Sequence, residues 1–114
     1  MATFRFVQWL VDWIEAQNAF GFEWDLGNLT KNFAKHSITQ EQAESVFGQP
    51  EAIRVLGEQV APVAGEPRYG ILGLTGDLKP VFVCFTIRGT GVRIICIRRM
   101  NQKERKLYAE LCKE

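Results

Sequence analysis

The sequence predicts an α+β fold, in which N-terminal helices precede an antiparallel sheet of about four strands and a C-terminal helix follows it. Apolar residues recur with a helical period over residues 3–47 and with the period of a strand across 52–98. Capping-box patterns at Thr39-x-x-Gln42 and Asn101-x-x-Glu104 mark the starts of two helices. Because 114 residues give room for one core, residues 1–114 are predicted to form a single domain.

Residues 3–17 are predicted to be helical, within an extra apolar segment at 1–18. Polar side chains at spacings of three, four and three make one stripe along this helix: Arg5, Gln8, Asp12 and Glu15. The rest of its surface is apolar, and a helix of that kind requires burial on more than one side. We therefore expect it to pack on the domain, the alternative being a dimer or partner surface.

Local signals place the remaining elements. An extended piece at 21–24 leads to Asp25, a predicted N-cap for a helix running to about His36. A short helix follows Thr39, with Gly48 at its end. Its predicted buried side chains are Ala43, Val46 and Phe47. The four predicted strands are 52–56, 69–75, 81–88 and 92–98.

The loop between the last two strands determines which side chains share a face. A three-residue loop ending in glycine is typical of a type I turn followed by a left-handed residue, here Gly91. The predicted cross-strand pairs are Arg88 with Val92, Thr86 with Ile94 and Cys84 with Cys96. Thr86, Arg88, Cys96 and Arg98 then share one face, because side chains alternate along a strand.

The opposite face of this hairpin is apolar and is predicted to be the core side. Its predicted members are Val83, Phe85, Ile87, Ile95 and Ile97. A two-residue loop would instead place Arg88 beside Arg93 and disrupt that face, so the three-residue loop is preferred. Two arginines on a mixed face suggest either a bound anion or ion pairs at the sheet edge.

Charge is divided unevenly along the chain. Residues 1–67 carry nine acidic and four basic side chains, whereas residues 68–114 carry ten basic and four acidic ones. Glu104 is the single acid among seven bases between Arg88 and Lys106. Such asymmetry favours a polyanion or an acidic partner over a neutral ligand, the alternative being a solvated cationic surface.

Other classes of site and location receive no support from the sequence. The three cysteines (Cys84, Cys96 and Cys112) lack metal-ligand spacing and indicate free buried thiols in a reducing compartment. No cofactor or metal site is predicted. No apolar run approaches the ~18 residues that a membrane helix requires, and a cytoplasmic location with no membrane partner is expected.

Taken in order, several segments between residues 22 and 111 resemble the BrnT toxins of bacterial type II toxin–antitoxin modules. They include Phe22-Glu23-Trp24-Asp25, Lys35-His36, Arg68-Tyr69, Phe85-Thr86-x-Arg88-Gly89, Arg98 and Lys103-Glu104-Arg105-Lys106-Leu107-Tyr108. The resemblance implies a fold similar to that of RelE-type ribonucleases. It also implies an endoribonuclease that inhibits translation and is neutralised by a BrnA-like ribbon-helix-helix antitoxin. Any contact with DNA would then be indirect, through the antitoxin. The resemblance is compatible with either a homodimer or a heterotetramer with the antitoxin.

Cleavage of RNA by its own 2′-hydroxyl requires groups that stabilise a phosphorane and groups that move protons, and it requires no metal. The resemblance assigns these tasks to Lys35, His36, Arg68, Arg88 and Arg98. His36, the single histidine, is the expected proton carrier, because imidazole is the side chain whose ordinary pKa lies nearest neutrality. Arg98 is expected either to stabilise the phosphorane or to hold the start of the last helix. The first role is preferred, and it predicts that the Arg98→Ala variant has a melting temperature close to that of the parent protein.

Two departures from the family's pattern leave a rival function open. Leu74 stands where relatives carry arginine, and Cys96 where they carry serine. The rival is a catalytically silent binding module or co-repressor partner of a DNA-binding antitoxin. A third reading is a housekeeping domain whose basic face docks an acidic protein.

Overall fold

The structure, a computed structural model, describes residues 3–17, 19–24, 36–60 and 66–113. Within these ranges it contains three α-helices and six strands, connected in places by short turns. The helices are α1 (Gln8–Ala16), α2 (Gln40–Phe47) and α3 (Gln102–Leu111). The strands are β1 (Phe4–Arg5), β2 (Phe22–Glu23), β3 (Arg54–Gln59), β4 (Tyr69–Leu74), β5 (Pro80–Arg88) and β6 (Gly91–Arg99).

The strands form one mixed sheet in the order β1-β3-β4-β5-β6-β2. All neighbours are antiparallel except β2 and β6, which run parallel. The α+β prediction is confirmed, but a purely antiparallel sheet of about four strands is wrong. The two additional strands lie at the edges and have two residues each, too few to give a period-two signal.

The N-terminal segment is partly a strand, contrary to the helix predicted over 3–17. Phe4 and Arg5 pair with Gln59 and Glu58, and only then does α1 begin. The backbone at the β3 edge needs hydrogen-bond partners, and this long-range demand overrides the local helical period. Packing of the segment on the domain is confirmed, since Leu10 and Ile14 are buried in the core.

The predicted capping boxes at Thr39 and Asn101 are confirmed, with both reciprocal hydrogen bonds formed in each. The expected inner side of α2 is also correct, because Ala43, Val46 and Phe47 are buried. The first predicted strand, 52–56, begins two residues late, at Arg54, since Pro50–Ala52 forms a 3₁₀ turn. The helix predicted from Asp25 lies outside the described residues except for His36, which is helical.

The register of the β5–β6 hairpin differs from the prediction near its turn. Arg88 pairs with Gly91 and Thr86 with Arg93, and Gly89, not Gly91, has the left-handed backbone (φ +63°). A bulge beside Cys84 then restores the predicted pairing of Cys84 with Cys96. The two-residue loop is tolerated because Glu23 of β2 lies between the two arginines that this register brings together.

Each face of the sheet carries its own apolar cluster. On one face, α1 and α2 cover residues that include Ile71, Val83, Phe85 and Ile97. On the other, Met100 and Tyr108 pack with Leu72, Phe82 and Cys84. Ile95 was expected on the first face but packs on the second beside Cys96, because the bulge shifts the alternation by one residue.

Candidate functional site

The second face of the sheet continues past its apolar cluster into a region of polar and basic side chains. We call the face that bears Phe82, Cys84, Thr86 and Arg88 of β5 the arginine face. β6 contributes Arg93 and Arg98 to it, opposite Thr86 and Phe82 respectively. The β4–β5 register pairs Tyr69 with Phe85, so Arg68 at the next position lies beside Thr86.

The three predicted arginines share this face but do not meet at one point. Arg98 pairs with Phe82, six residues along β5 from Arg88, a separation of about 20 Å at the rise of a strand. Arg68 lies near Arg88, at the level of Thr86. One phosphate group can therefore contact Arg68 and Arg88, but not Arg98 as well.

Arg88 lies at the turn end of β5 and is held by two carboxylates. Its Nε is 3.1 Å from Glu66 Oε1 and its Nη2 donates to Glu66 Oε2 at 3.3 Å. Its Nη1 is 3.9 Å from Glu23 Oε1, and Arg93 Nη1 is 3.4 Å from the same oxygen. These two glutamates orient the guanidinium groups and partly neutralise them, a role for which the sequence carries no local signal.

Arg98 is engaged at the start of α3. Its Nη1 and Nη2 donate to the two carboxylate oxygens of Glu104 at 2.7 and 2.8 Å. Its guanidinium carbon lies 4.5 Å from the centre of the Phe82 ring, a cation–π distance. The Glu104 carboxylate also accepts from the Asn101 backbone N–H, so Arg98 supports the cap of α3.

The ion pair shifts the titration of both partners. Its hydrogen bonds to Glu104 raise the pKa of Arg98. Burial alone would raise the pKa of Glu104, but the hydrogen bonds from Arg98 and Asn101 outweigh it and the pKa is lowered. Both shifts favour the charged forms and agree with a partly buried, bidentate pair.

The cysteines differ in their surroundings. Burial raises the pKa of the Cys84 thiol to about 11, an effect that the nearby Arg68 partly opposes. All three cysteines are free, as predicted, but Cys112 is exposed and only Cys84 is fully buried. A buried thiol with a raised pKa is a poor nucleophile.

Of the two proton carriers expected from the sequence, the structure describes His36. Lys35 lies outside the described residues. His36 is half-buried, two residues before Ile38, which packs in the core beneath α1 and α2. Among the described residues, no hydrogen bond or ion pair links His36 to Arg68, Arg88 or Arg98.

The basic residues of α3 extend the arginine face towards solvent. Lys103, Arg105 and Lys106 are exposed. Tyr108 packs against the sheet, as expected, and its hydroxyl donates to Ala52 O at 2.6 Å. A basic path therefore runs from Arg88 past Arg98 to α3.

Comparisons with known proteins agree with this architecture. A search of curated proteins finds no match. The solved structure of the Brucella abortus ribonuclease toxin BrnT is similar, with a TM-score of 0.54 and 22% sequence identity over 74% of this chain and all of that one. At that identity the similarity supports the fold. Within the described ranges, no helix has the length and apolar character needed to span a membrane.

A family model described as the ribonuclease toxin BrnT of type II toxin–antitoxin systems matches residues 24–104. This range includes the whole arginine face of β4, β5 and β6, and it leaves β1, α1 and β2 outside. The match covers well over half of the chain. The chain therefore belongs to the BrnT family of ribonuclease toxins.

Proposed function

We propose that this protein is a metal-independent endoribonuclease, the toxin of a type II module, whose reacting phosphate binds at the Arg68–Arg88 end of the arginine face. The observation that carries the proposal is the placement of Arg68, Arg88 and Arg93 around Thr86 on adjacent strands. Guanidinium groups fixed in advance stabilise the charge that develops on a phosphorane. Strands hold them more rigidly than a loop does.

In this mechanism the RNA 2′-hydroxyl attacks the adjacent phosphorus and the 5′-oxygen of the next nucleotide departs. Arg68 stabilises the non-bridging oxygens, and Arg88 assists once the phosphate competes with Glu66 and Glu23 for it. Proton transfer is assigned to His36, with Lys35 as a second donor, on the family resemblance alone, because no contact among the described residues joins His36 to the arginine face. The bases of α3 bind the flanking backbone, and a ribbon-helix-helix antitoxin covers the toxin in the cell.

Leu74, a departure from the family's pattern, lies far from this end of the face. It pairs with Pro80, six residues along β5 from Thr86, about 20 Å away at the rise of a strand. The presence of leucine in place of the family's arginine at position 74 therefore leaves the proposed phosphate site intact. This favours an active enzyme over a catalytically silent relative.

The test is cleavage of an RNA oligonucleotide by the purified protein in the presence of EDTA. We expect cleavage that leaves 2′,3′-cyclic or 3′-phosphate ends, no cleavage of the 2′-O-methyl oligonucleotide, and growth arrest on induction. Co-expression of an adjacent gene for a short ribbon-helix-helix protein should restore growth. An inert purified protein that also leaves growth unaffected would support the silent binding module instead.

Binding of RNA along the basic path predicts a specific salt dependence. Replacing Lys103 and Lys106 by glutamine should flatten the slope of log affinity against log salt by up to about 1.4, since each single-strand contact contributes about 0.7. The control replaces Arg5 by glutamine, which removes a charge at the β1 edge of the sheet, away from this path. A slope for the double variant that equals the slope for this control would place the RNA elsewhere.

A further inference from the structure

Thr86 is a buried polar residue whose hydroxyl has no partner. Its side chain is 1% exposed, and within the described part of the chain Thr86 Oγ1 is the buried side-chain atom that lacks a hydrogen bond. The other buried polar residue, Thr75, donates to Asp77. An unpaired buried hydroxyl destabilises a fold, and valine would fill the same space without that penalty.

The surroundings of this hydroxyl are cationic. Arg93 lies directly opposite on β6, Arg68 lies beside it on the β4 side, and Arg88 is two residues along β5 on the same face. Glu23 and Glu66, the acids of this region, are directed at Arg88 and Arg93 and make no hydrogen bond with Thr86. A hydroxyl donor among guanidinium groups is an arrangement that suits an anionic oxygen.

We propose that Thr86 Oγ1 donates a hydrogen bond to a non-bridging oxygen of the RNA phosphate, which makes it a further residue of the phosphate site. This inference rests on the proposed ribonuclease function and adds a contact that the arginines alone do not supply. The β-branched side chain is restricted at χ1 and sits at the centre of the sheet, so the donor is held in place before RNA binds. Thr86 is 1% exposed, so the side chains beside it shift aside when the phosphate oxygen binds.

Thr86→Val separates this role from a structural one, because stability and function should change in opposite directions. Removing the unpaired hydroxyl should raise the melting temperature by roughly 4 °C or more. Loss of a hydrogen bond to a charged group should lower RNA cleavage about 10- to 100-fold. Thr86→Ser retains the hydroxyl and should cleave within a few-fold of the parent. Full activity of Thr86→Val would overturn the proposal.

Binding of a 2′-O-methyl RNA oligonucleotide distinguishes failure of this inference from failure of the ribonuclease proposal. The modified RNA keeps its phosphates but has no attacking hydroxyl. We expect Thr86→Val to bind it roughly tenfold more weakly than the parent and Thr86→Ser do. If the parent cuts no RNA yet shows this difference in affinity, the phosphate contact stands and the enzyme assignment fails. Equal affinities for parent and Thr86→Val, or no binding by the parent, would exclude the contact.

Discussion

Alanine at Arg68 and alanine at Arg98 are expected to impair the protein in different ways. Arg68→Ala should reduce RNA cleavage about 10²–10³-fold, the usual cost of losing a preorganised electrostatic group at the reacting centre. Its melting temperature should stay near that of the parent, because Arg68 makes no ion pair among the described residues. Its backbone carbonyl still accepts from Gln59 N–H in the variant.

Arg98→Ala should instead lose stability. It removes both hydrogen bonds to Glu104 and the contact with Phe82, which together stabilise the start of α3 by about 2–3 kcal/mol. At roughly 4 °C per kcal/mol the melting temperature should fall by about 8 °C or more. This prediction differs from the one made from the sequence, that the variant melts near the parent, and the measured melting temperature decides between them.

Assayed well below both midpoints, Arg98→Ala should retain cleavage within about tenfold of the parent, since it loses one backbone contact far from the reacting phosphate. Arg99→Ala, which removes an exposed arginine from the same strand, is the matched control for charge. Arg68→Ala with full activity, or Arg98→Ala with unchanged stability and a 10²-fold loss of cleavage, would reverse the two assignments.

The difference in stability between the parent and Arg98→Ala should also depend on pH. Because the pKa of Glu104 is lowered in the folded protein, the pair stabilises the fold above the ordinary carboxyl pKa. The stabilisation by the Arg98–Glu104 pair is lost as pH falls through the lowered pKa of Glu104. The difference in melting temperature between parent and Arg98→Ala should therefore be largest near neutral pH and narrow in acid.

Removal of residues 1–18 is expected to unfold the protein or make it insoluble. The segment packs on both faces of the sheet, with Phe4 against Phe82 on one and Leu10 and Ile14 in the core on the other. Fully burying each large apolar side chain contributes ~1.5–3 kcal/mol. The summed loss approaches the total stability of a small domain, about 5–15 kcal/mol.

Two point variants test the same packing without truncation. Leu10→Ala should destabilise the protein by about 2–5 kcal/mol, because Leu10 is fully buried. Phe6→Ala, at a side chain that is 57% exposed, should cost less than about 1 kcal/mol. A truncated protein that melts like the parent and changes only its oligomeric state would make the segment an interface.

The sequence by itself determined the features that depend on neighbouring residues. Thr39 and Asn101 cap their helices because each capping box closes within four residues. The long strands Tyr69–Leu74, Pro80–Arg88 and Gly91–Arg99 were found within about two residues of their ends, since alternation over six or more positions gives a clear signal. The ordered motifs also identified the family correctly.

Tertiary structure decided the features that depend on residues distant in the chain. β1 and β2 join the sheet because the edges of β3 and β6 offer them hydrogen bonds. The extended conformation at 21–24 was predicted from the sequence, but its pairing with β6 was not, and β1 was predicted to be helical. The same β2 brings Glu23 to Arg88 and Arg93, which permits the two-residue turn and sets the register. That register places Arg93 opposite Thr86, where Ile94 was predicted, and the bulge leaves Arg98 opposite Phe82 as in the predicted pairing. Pairing between strands therefore determined the geometry of the site, while the local sequence determined only which residues are present in it.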